Sequence, residues 1–205
     1  MADKTSLFRH PATIAAQAGG MMDGQTGGVV PGIHRATTFA RGADYEPLNP
    51  DNIYLRYHNE NARQAEAVLS MLEGAAQTLL FPSGMAAVAA LFRTLPQGAT
   101  VLVQRQIYWG TTQWITDFCA RRGIALVEVD ASDTAAFAAA CVEHLPALAW
   151  VETPSNPWLR ITDIAAAAEA AHAAGALLAV DSTAATPALS QPLRFGADIV
   201  MHSAT

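Results

Sequence analysis

Polar residues that could bind a ligand recur where short apolar segments of this sequence end. Asp181 follows the apolar run 176–180, and Glu152 follows the run 147–151. A carboxylate at the end of a buried strand is costly without a partner, and a protonated ring nitrogen would be such a partner. The alternative for Asp181 is a side chain that caps the next turn, and the residue alone does not decide between the two.

Three further candidates have equally plain structural alternatives. The turn Ser83-Gly84-Met85 lies between an apolar run and a helical pattern, where a helix N-terminus would offer N–H groups to a phosphate. The alternative is an ordinary strand-to-helix turn. Tyr108 could stack on a flat ring or simply pack within its loop as an aromatic residue. Asn156 could bind a ring substituent, or it could be an ordinary residue of the Pro-rich turn in which it lies.

Composition and charge exclude several classes of partner. The 205 residues carry a net charge of −6 without a Lys/Arg cluster, which argues against nucleic acid. A hydrophobic content of 51% against 15% charged residues excludes disorder and predicts a surface partly covered by other protein. The six histidines show no metal-ligand spacing, and Cys119 and Cys141 are expected to be buried thiols. No signal peptide or membrane span is apparent, so we expect a cytoplasmic protein.

The hydrophobic pattern after residue 58 predicts the elements that position these residues. Helix 62–73 carries apolar residues at i, i+3, i+4 and i+7 and ends at Gly74. The other predicted helices are 85–95, 111–122, 133–144 and 163–174, and the predicted strands are 78–81, 100–104, 124–129, 147–152, 176–181 and 198–202. Ser132 and Thr162 are the expected N-caps of the last two helices, and Gly175 is expected to end the final one.

The order of these elements predicts an α/β fold with a mostly parallel sheet and helices on both faces. The strands lack strict alternation, as expected when both faces are buried. Ligands bind such sheets at the carboxyl ends of the strands, where the polar residues stand. Residues 1–58 are rich in Gly and Pro and predict an arm that packs on its own domain or on another subunit. Residues 59–205 are expected to form the α/β domain.

Seven short motifs, in order, resemble the pyridoxal-phosphate (PLP)-dependent enzymes of Cys/Met metabolism. This family contains cystathionine γ-synthase, cystathionine β- and γ-lyases, methionine γ-lyase and homoserine sulfhydrylases. The motifs occupy residues 28–39, 54–56, 83–86, 108–111, 152–157, 180–183 and 202–205. The resemblance spans nearly the whole chain and implies the N-terminal part of an aspartate-aminotransferase-like type I PLP fold, without its C-terminal domain.

The resemblance also implies roles for individual residues. Asp181 would pair with the ring nitrogen, Tyr108 would stack on the ring, and Asn156 would bind the ring hydroxyl. Tyr54 and Arg56 would reach the cofactor of a neighbouring subunit, which implies a homotetramer built as a dimer of dimers. The implied cofactor-binding residues are Tyr54, Arg56, Ser83, Gly84, Met85, Tyr108, Glu152, Asn156, Asp181, Thr183, Ser203 and Thr205. The implied catalytic residues are Tyr108, Asp181 and Tyr54.

Several departures from the family pattern bear on the substrate. Residues 58–61 read His-Asn-Glu-Asn where the family usually has Asn-Pro-Thr, the run 47–51 is unusual, and Ser182 stands where the family usually has Asn. Gly110 stands where methionine γ-lyases carry Cys, which argues against that activity. The only lysine is Lys4, so we expect the Schiff-base lysine to follow Thr205 directly.

The implied activity is a PLP-dependent β- or γ-elimination or γ-replacement on cystathionine or an activated homoserine, as in transsulfuration and methionine biosynthesis. We expect the cystathionine γ-synthase or γ-lyase type, with cystathionine β-lyase or homoserine sulfhydrylase as alternatives. A non-catalytic binding or scaffold protein of the same fold is the alternative of another class. A nucleotide-binding α/β domain is disfavoured because the chain lacks a glycine fingerprint.

Overall fold

The computed structural model describes residues 10–57 and 59–204, which form two compact units. The first unit extends to Leu80, and the second begins at Phe81. Of the residues singled out above, Lys4, His58 and Thr205 lie outside the described ranges. The predicted domain boundary after residue 58 stays a prediction.

The first unit contains two α-helices and long irregular segments. Helix α1 spans Pro11–Ala16 and helix α2 spans Glu60–Glu73. The side chain of Asn59 accepts a hydrogen bond from the N–H of Asn61 and caps α2. Gly74 ends α2 in the left-handed conformation, with φ of 69°, as the sequence predicts.

The second unit alternates helices and strands from Gly84 onward. Its helices are α3 (Gly84–Arg93), α4 (Trp109–Arg122), α5 (Thr134–His144), α6 (Ile164–Ala173) and α7 (Thr186–Leu189). Its strands are β1 (Thr100–Gln104), β2 (Ala125–Val129), β3 (Leu148–Glu152), β4 (Leu177–Asp181) and β5 (Ile199–Met201). Among the described helices, none is long and apolar enough to cross a membrane.

The five strands form one parallel sheet in the order β2-β1-β3-β4-β5. The chain moves outward from β1 to β2 and then returns to place β3 on the other side of β1. The order therefore reverses between β1 and β3. In open α/β sheets this reversal opens a crevice at the carboxyl ends of the two strands, and ligands bind there.

Helices cover both faces of the sheet, as the sequence predicts. Val101, Val103 and Trp150 pack on one face with residues of α3 and α4. Leu102, Val151 and Val180 pack on the other face with residues of α5 and α6. Because α4 follows β1 and α6 follows β3, the connections after these two strands lead to opposite faces of the sheet. Their divergence forms the crevice.

The predicted strand at residues 78–81 is wrong. These residues do not belong to the five-stranded sheet, and they adopt no regular structure. Their polar groups instead bind side chains of α2: the N–H of Leu80 donates to Glu66 over 2.9 Å, and the hydroxyls of Thr78 and Ser70 lie 2.8 Å apart. An apolar run becomes a strand only where a neighbouring strand receives its hydrogen bonds.

Both predicted N-caps are displaced by one residue. Asp133 caps α5 by accepting from Ala136, in place of Ser132. Asp163 caps α6, in place of Thr162. Ser132 bonds Asp130 instead, and Thr162 is buried with its hydroxyl donating to Gln104. Where two residues that can cap a helix are adjacent, the one that reaches the free N–H groups is decided by the preceding loop. Gly175 ends α6 with φ of 77°, as expected.

Candidate cofactor-binding site

Two buried carboxylates stand side by side at the carboxyl edge of the sheet. Glu152 ends β3 and Asp181 ends β4, and the two residues are direct partners in the parallel register. Their relative exposures are 4% and 5%. The apolar strands carry these residues into the interior, and each therefore needs polar partners.

Asp181 begins a chain of hydrogen bonds that runs from β4 to β5. The hydroxyl of Thr183 donates to Asp181 over 2.5 Å, and the N–H of Thr183 donates to the same carboxylate oxygen over 3.0 Å. The Thr183 hydroxyl also accepts from the N–H of Ser203, which follows β5, over 2.8 Å. These hydrogen bonds fix the position of the Asp181 carboxylate relative to the segment around Ser203.

The turn at Ser83 lies beside this series of hydrogen bonds. Ser83 caps α3, because its hydroxyl oxygen accepts from the N–H of Ala86 over 3.1 Å. A β-carbon added at Gly84 would lie 2.9 Å from the Cβ of Ser203, so the two segments are in close contact. The first-turn N–H groups of a helix have no partner inside the helix and favour an anion. Gly84 and Met85 thus contribute N–H groups next to the Ser203 hydroxyl.

The Glu152 side chain forms hydrogen bonds to two loops that are far apart in the sequence, the loop after β1 and the turn after β3. One of its oxygens accepts from the N–H of Tyr108 over 2.8 Å, and the other accepts from the N–H of Asn156 over 2.5 Å. Its own N–H donates to the side chain of Gln104 over 3.0 Å. The loop after β1 and the turn after β3 therefore share one buried carboxylate.

Tyr108 lies at the start of α4 with its ring folded over the backbone. A β-carbon at Gly110 would come within 2.6 Å of the Tyr108 ring, so only glycine leaves room for this ring position. Tyr108 is 44% exposed and therefore accessible to a ligand at the edge of the sheet. Asn156 is also exposed. Met85 contacts α4 through its sulfur, which lies 3.7 Å from the hydroxyl of Thr111.

Burial dominates the electrostatics of the two carboxylates. Desolvation raises the pKa of Glu152 to about 7; the N–H donors of Tyr108 and Asn156 oppose this rise, and the charge of Asp181 adds to it. Desolvation also raises the pKa of Asp181, against the hydrogen bonds from Thr183 and the charge of His202. A ligand cation at this edge would stabilise the ionised form of either group.

Gln104 is a site residue that the sequence reasoning missed. It is 2% exposed at the end of β1, and its carbonyl oxygen accepts from the N–H of Glu152 and from the hydroxyl of Thr162. Thr162 in turn donates its N–H to the hydroxyl of Thr153 over 3.1 Å. The detectable signal was a polar residue closing the apolar strand Thr-Val-Leu-Val-Gln, the same signal that identified Asp181.

Tyr54 and Arg56 belong to the first unit. Residue 54 forms an isolated antiparallel bridge with Thr38. The Arg56 guanidinium lies over two rings, 5.1 Å from the centroid of Tyr54 and 5.3 Å from that of Tyr57. Cation–π contacts of this kind hold the guanidinium in place while its N–H groups remain available. Tyr54 and Arg56 therefore form one local cluster.

Apart from Thr205, which lies outside the described residues, the remaining predicted site residues are assembled at the carboxyl edge in the second unit. An organic phosphate with a basic ring nitrogen fits this donor set. The α3 N-terminus and Ser203 provide donors for an anion, and a close approach of backbone is possible at Gly84. The buried Asp181 carboxylate, with its raised pKa, provides the partner for a cation. Such a site defines the class of protein as one that binds a phosphorylated pyridine cofactor.

Comparison with known proteins identifies the family. The model of the family described as "Cys/Met metabolism PLP-dependent enzyme" matches residues 12–205. The chain therefore belongs to the Cys/Met metabolism PLP-dependent enzymes, as its motifs predict, and PLP is the cofactor of this family.

Individual relatives have related names. An O-succinylhomoserine sulfhydrylase of Pseudomonas aeruginosa is 47% identical over 76% of this chain and 39% of its own length. The cystathionine beta-lyase MetC of Bacillus subtilis is 39% identical over 89% of this chain and 46% of its own length. The crystal structure of a cystathionine gamma synthase from Xanthomonas oryzae pv. oryzae in complex with aminoacrylate and cysteine matches with a TM-score of 0.86 and 34% identity, over 94% of this chain and 49% of that one. The chain spans about half the length of the relatives it matches.

Proposed function

We propose that this chain contributes the PLP-binding part of an enzyme that performs γ-replacement or γ-elimination on an activated homoserine or on cystathionine. The observation that carries the cofactor assignment is the buried Asp181 carboxylate, which is bonded through Thr183 to Ser203 beside the start of α3. One connected structure thus offers a cation partner at one end and anion donors at the other. That combination matches a protonated pyridine carrying a phosphate.

The bound cofactor supplies an electron-accepting ring that stabilises negative charge on the substrate next to its amino group. Asp181 keeps the ring nitrogen protonated, because an ionised carboxylate beside it favours the charged form. The N–H groups of Gly84 and Met85, with the Ser203 hydroxyl, would hold the phosphate. Thr183 orients Asp181 through two hydrogen bonds to one carboxylate oxygen.

Two side chains from the crevice orient the ring of the cofactor. Tyr108 would hold the ring by stacking, and the side-chain amide of Asn156 would bind the ring hydroxyl. A fixed ring directs the bond to be broken in the substrate, which lowers the entropic part of the barrier. With a neighbouring subunit, Tyr54 and Arg56 reach the cofactor phosphate, so the active assembly is a dimer of dimers. Thr205 completes the phosphate donors, and the enzyme works in the cytoplasm.

The names of the relatives favour chemistry at Cγ. A sulfhydrylase of O-succinylhomoserine and a cystathionine gamma synthase both describe replacement of an activated homoserine oxygen by sulfur. The Bacillus subtilis relative, a cystathionine beta-lyase, keeps β-elimination as the second candidate. A non-catalytic protein of the same fold is the third.

Absorbance and product analysis test this proposal. We expect the purified full-length protein to be yellow and to be bleached by borohydride, with the adduct on a lysine. With O-succinylhomoserine as the carbon donor, supplying cysteine should yield cystathionine and supplying sulfide should yield homocysteine. Pyruvate from cystathionine would instead identify the β-lyase. A colourless protein that cannot be reconstituted with PLP would exclude the enzymatic function and leave the scaffold alternative.

A further inference from the structure

We propose that Glu152 is a positioning residue that ties Tyr108 and Asn156 together across the crevice between β1 and β3. The proposal goes one step beyond the proposed function and depends on it for the identity of the ligand. Its basis is the pair of hydrogen bonds that the Glu152 carboxylate accepts from the two loops.

Glu152 ends β3, one of the two strands between which the sheet order reverses. The sheet order reverses between β1 and β3, and the connections after these strands lead to α4 on one face and α6 on the other. Tyr108 lies on the first connection and Asn156 on the second. Loops that diverge in this way leave a gap between them. The Glu152 carboxylate fills the gap at its base.

Both oxygens of the Glu152 carboxylate accept hydrogen bonds in this role. One oxygen accepts from the Tyr108 N–H at 2.8 Å and the other from the Asn156 N–H at 2.5 Å. Above its pKa of about 7, the ionised carboxylate accepts at both oxygens, and such charge-assisted bonds are stronger than bonds between neutral groups. With both oxygens occupied by backbone, Glu152 acts on a ligand through the two residues that it holds.

The backbone of Glu152 is itself held in place by buried hydrogen bonds. Gln104 accepts from the Glu152 N–H and from the Thr162 hydroxyl, and these three residues are nearly completely buried. Within the turn after β3, the N–H of Ser155 donates to the carbonyl of Arg160 over 3.0 Å. The Asn156 turn therefore cannot shift without breaking several buried hydrogen bonds, each costly to leave unmade.

The consequence is that the two groups meant to orient the cofactor ring are set by one side chain. The Tyr108 ring is already confined by its contact with Gly110. Glu152 adds the constraint on the backbone of Tyr108 and carries it across to Asn156. Loss of one acceptor should loosen one loop and misplace the ring without unfolding the sheet.

Glu152→Gln is the decisive variant. A glutamine side chain has one accepting oxygen and an NH2 group that only donates, so one of the two N–H groups loses its acceptor. Glu128→Gln is the matched control, because Glu128 is exposed on β2, the edge strand of the sheet, which is separated by β1 from the crevice between β1 and β3. Hydrogen exchange of the full-length protein, followed by mass spectrometry, measures both loops directly in the presence and absence of PLP.

We expect Glu152→Gln to speed exchange roughly 10- to 100-fold in residues 105–110 or 154–160, as for loss of one hydrogen bond to a charged acceptor. PLP should bind roughly tenfold more weakly, with a weaker visible circular dichroism band. Glu128→Gln should match the wild type in all three. Wild-type exchange rates in both loops of Glu152→Gln would overturn the proposal.

Two further outcomes separate this proposal from the proposed function. If the wild type binds no PLP, the proposed function fails, and the exchange rates alone still decide the role of Glu152. If Glu152→Gln does not fold, amide-resolved exchange in the wild type decides: protection of both the Tyr108 and Asn156 N–H groups supports the bridge, and free exchange of either overturns it.

Discussion

Gly84 and Ser203 are so close that a β-carbon on residue 84 would lie 2.9 Å from the Cβ of Ser203 and 3.0 Å from its hydroxyl oxygen. One residue begins α3 and the other follows β5, 119 positions later in the chain by their numbers. Contact at this distance brings the first-turn N–H groups of α3 next to the Ser203 hydroxyl. The proposed phosphate site depends on this approach.

Gly84→Ala should therefore weaken PLP binding. Alanine suits a helix, but its methyl group would push α3 and Ser203 apart. Overpacking of this kind costs about 1–3 kcal/mol, and if the bound state bears that cost the dissociation constant rises roughly 5- to 150-fold. Fluorescence titration of the apoprotein with PLP measures the dissociation constant. Gly24→Ala is the control, since nothing lies within 4 Å of a β-carbon there. Equal affinities of the two variants would contradict the prediction.

The hydroxyl of Thr183 should matter more than its methyl group. It donates to Asp181 and accepts from the Ser203 N–H. Thr183→Val keeps the shape but removes the hydroxyl that donates to Asp181 and accepts from the Ser203 N–H, which should destabilise the protein by about 1–3 kcal/mol and weaken PLP binding. Thr183→Ser keeps both bonds and should stay close to the wild type. Denaturant unfolding and PLP titration of the pair measure both effects, and identical behaviour of Val and Ser would refute the role of the hydroxyl.

Removing the charge of Asp181 should abolish most activity while keeping the fold. In Asp181→Asn the side-chain oxygen can still accept from Thr183, but the ring nitrogen loses its ionised partner. Loss of one such electrostatic contact lowers kcat by about 10²- to 10³-fold. Asp163→Asn is the control, because asparagine caps helix α6 as well as aspartate does. Steady-state rates with O-succinylhomoserine and cysteine, or with whichever substrate the product analysis identifies, measure this loss. Near-normal activity of Asp181→Asn would exclude the role assigned to Asp181.

The sequence predicted the sheet more reliably than the contacts at its edge. Five apolar runs became parallel strands within one or two residues of the expected bounds, and the three central ones, β1, β3 and β4, are almost entirely buried, as continuous apolar runs predict. Residues 78–81 have the same pattern but form no strand, since pairing depends on a neighbour that the local sequence does not specify. The short helices α1 and α7 were not predicted.

For the site, too, the sequence predicted some residues but not the contacts between them. Strand ends identified Glu152 and Asp181, since a polar residue after an apolar run is visible in one dimension. The bridge from Glu152 to Tyr108 joins residues 44 positions apart, and its existence depends on how two loops diverge from the sheet. The same holds for Gln104, whose partners lie up to 58 positions away. Hydrogen bonds of this range follow from tertiary structure and have no local signal.

The raised pKa of Glu152 predicts how the stability of the cofactor-free protein depends on pH. Burial raises this pKa from 4.5 to about 7, so the folded state binds a proton more tightly than the unfolded state does. The contribution of Glu152 is therefore fully present below pH 4.5 and is lost as the pH rises through 7, by at most about 3 kcal/mol. Asp181, the facing carboxylate, has a pKa shifted in the same direction and adds to the loss.

Glu152→Gln removes this share, because glutamine does not titrate. Between pH 5 and pH 8 the free energy of unfolding should fall less steeply in Glu152→Gln than in the wild type, whatever the absolute stability of the variant. Urea unfolding of both apoproteins at several pH values measures the slopes, and Glu128→Gln should follow the wild type. Parallel slopes in all three proteins would mean that Glu152 already ionises near its ordinary pKa, and that the N–H groups of Tyr108 and Asn156 offset its burial in full.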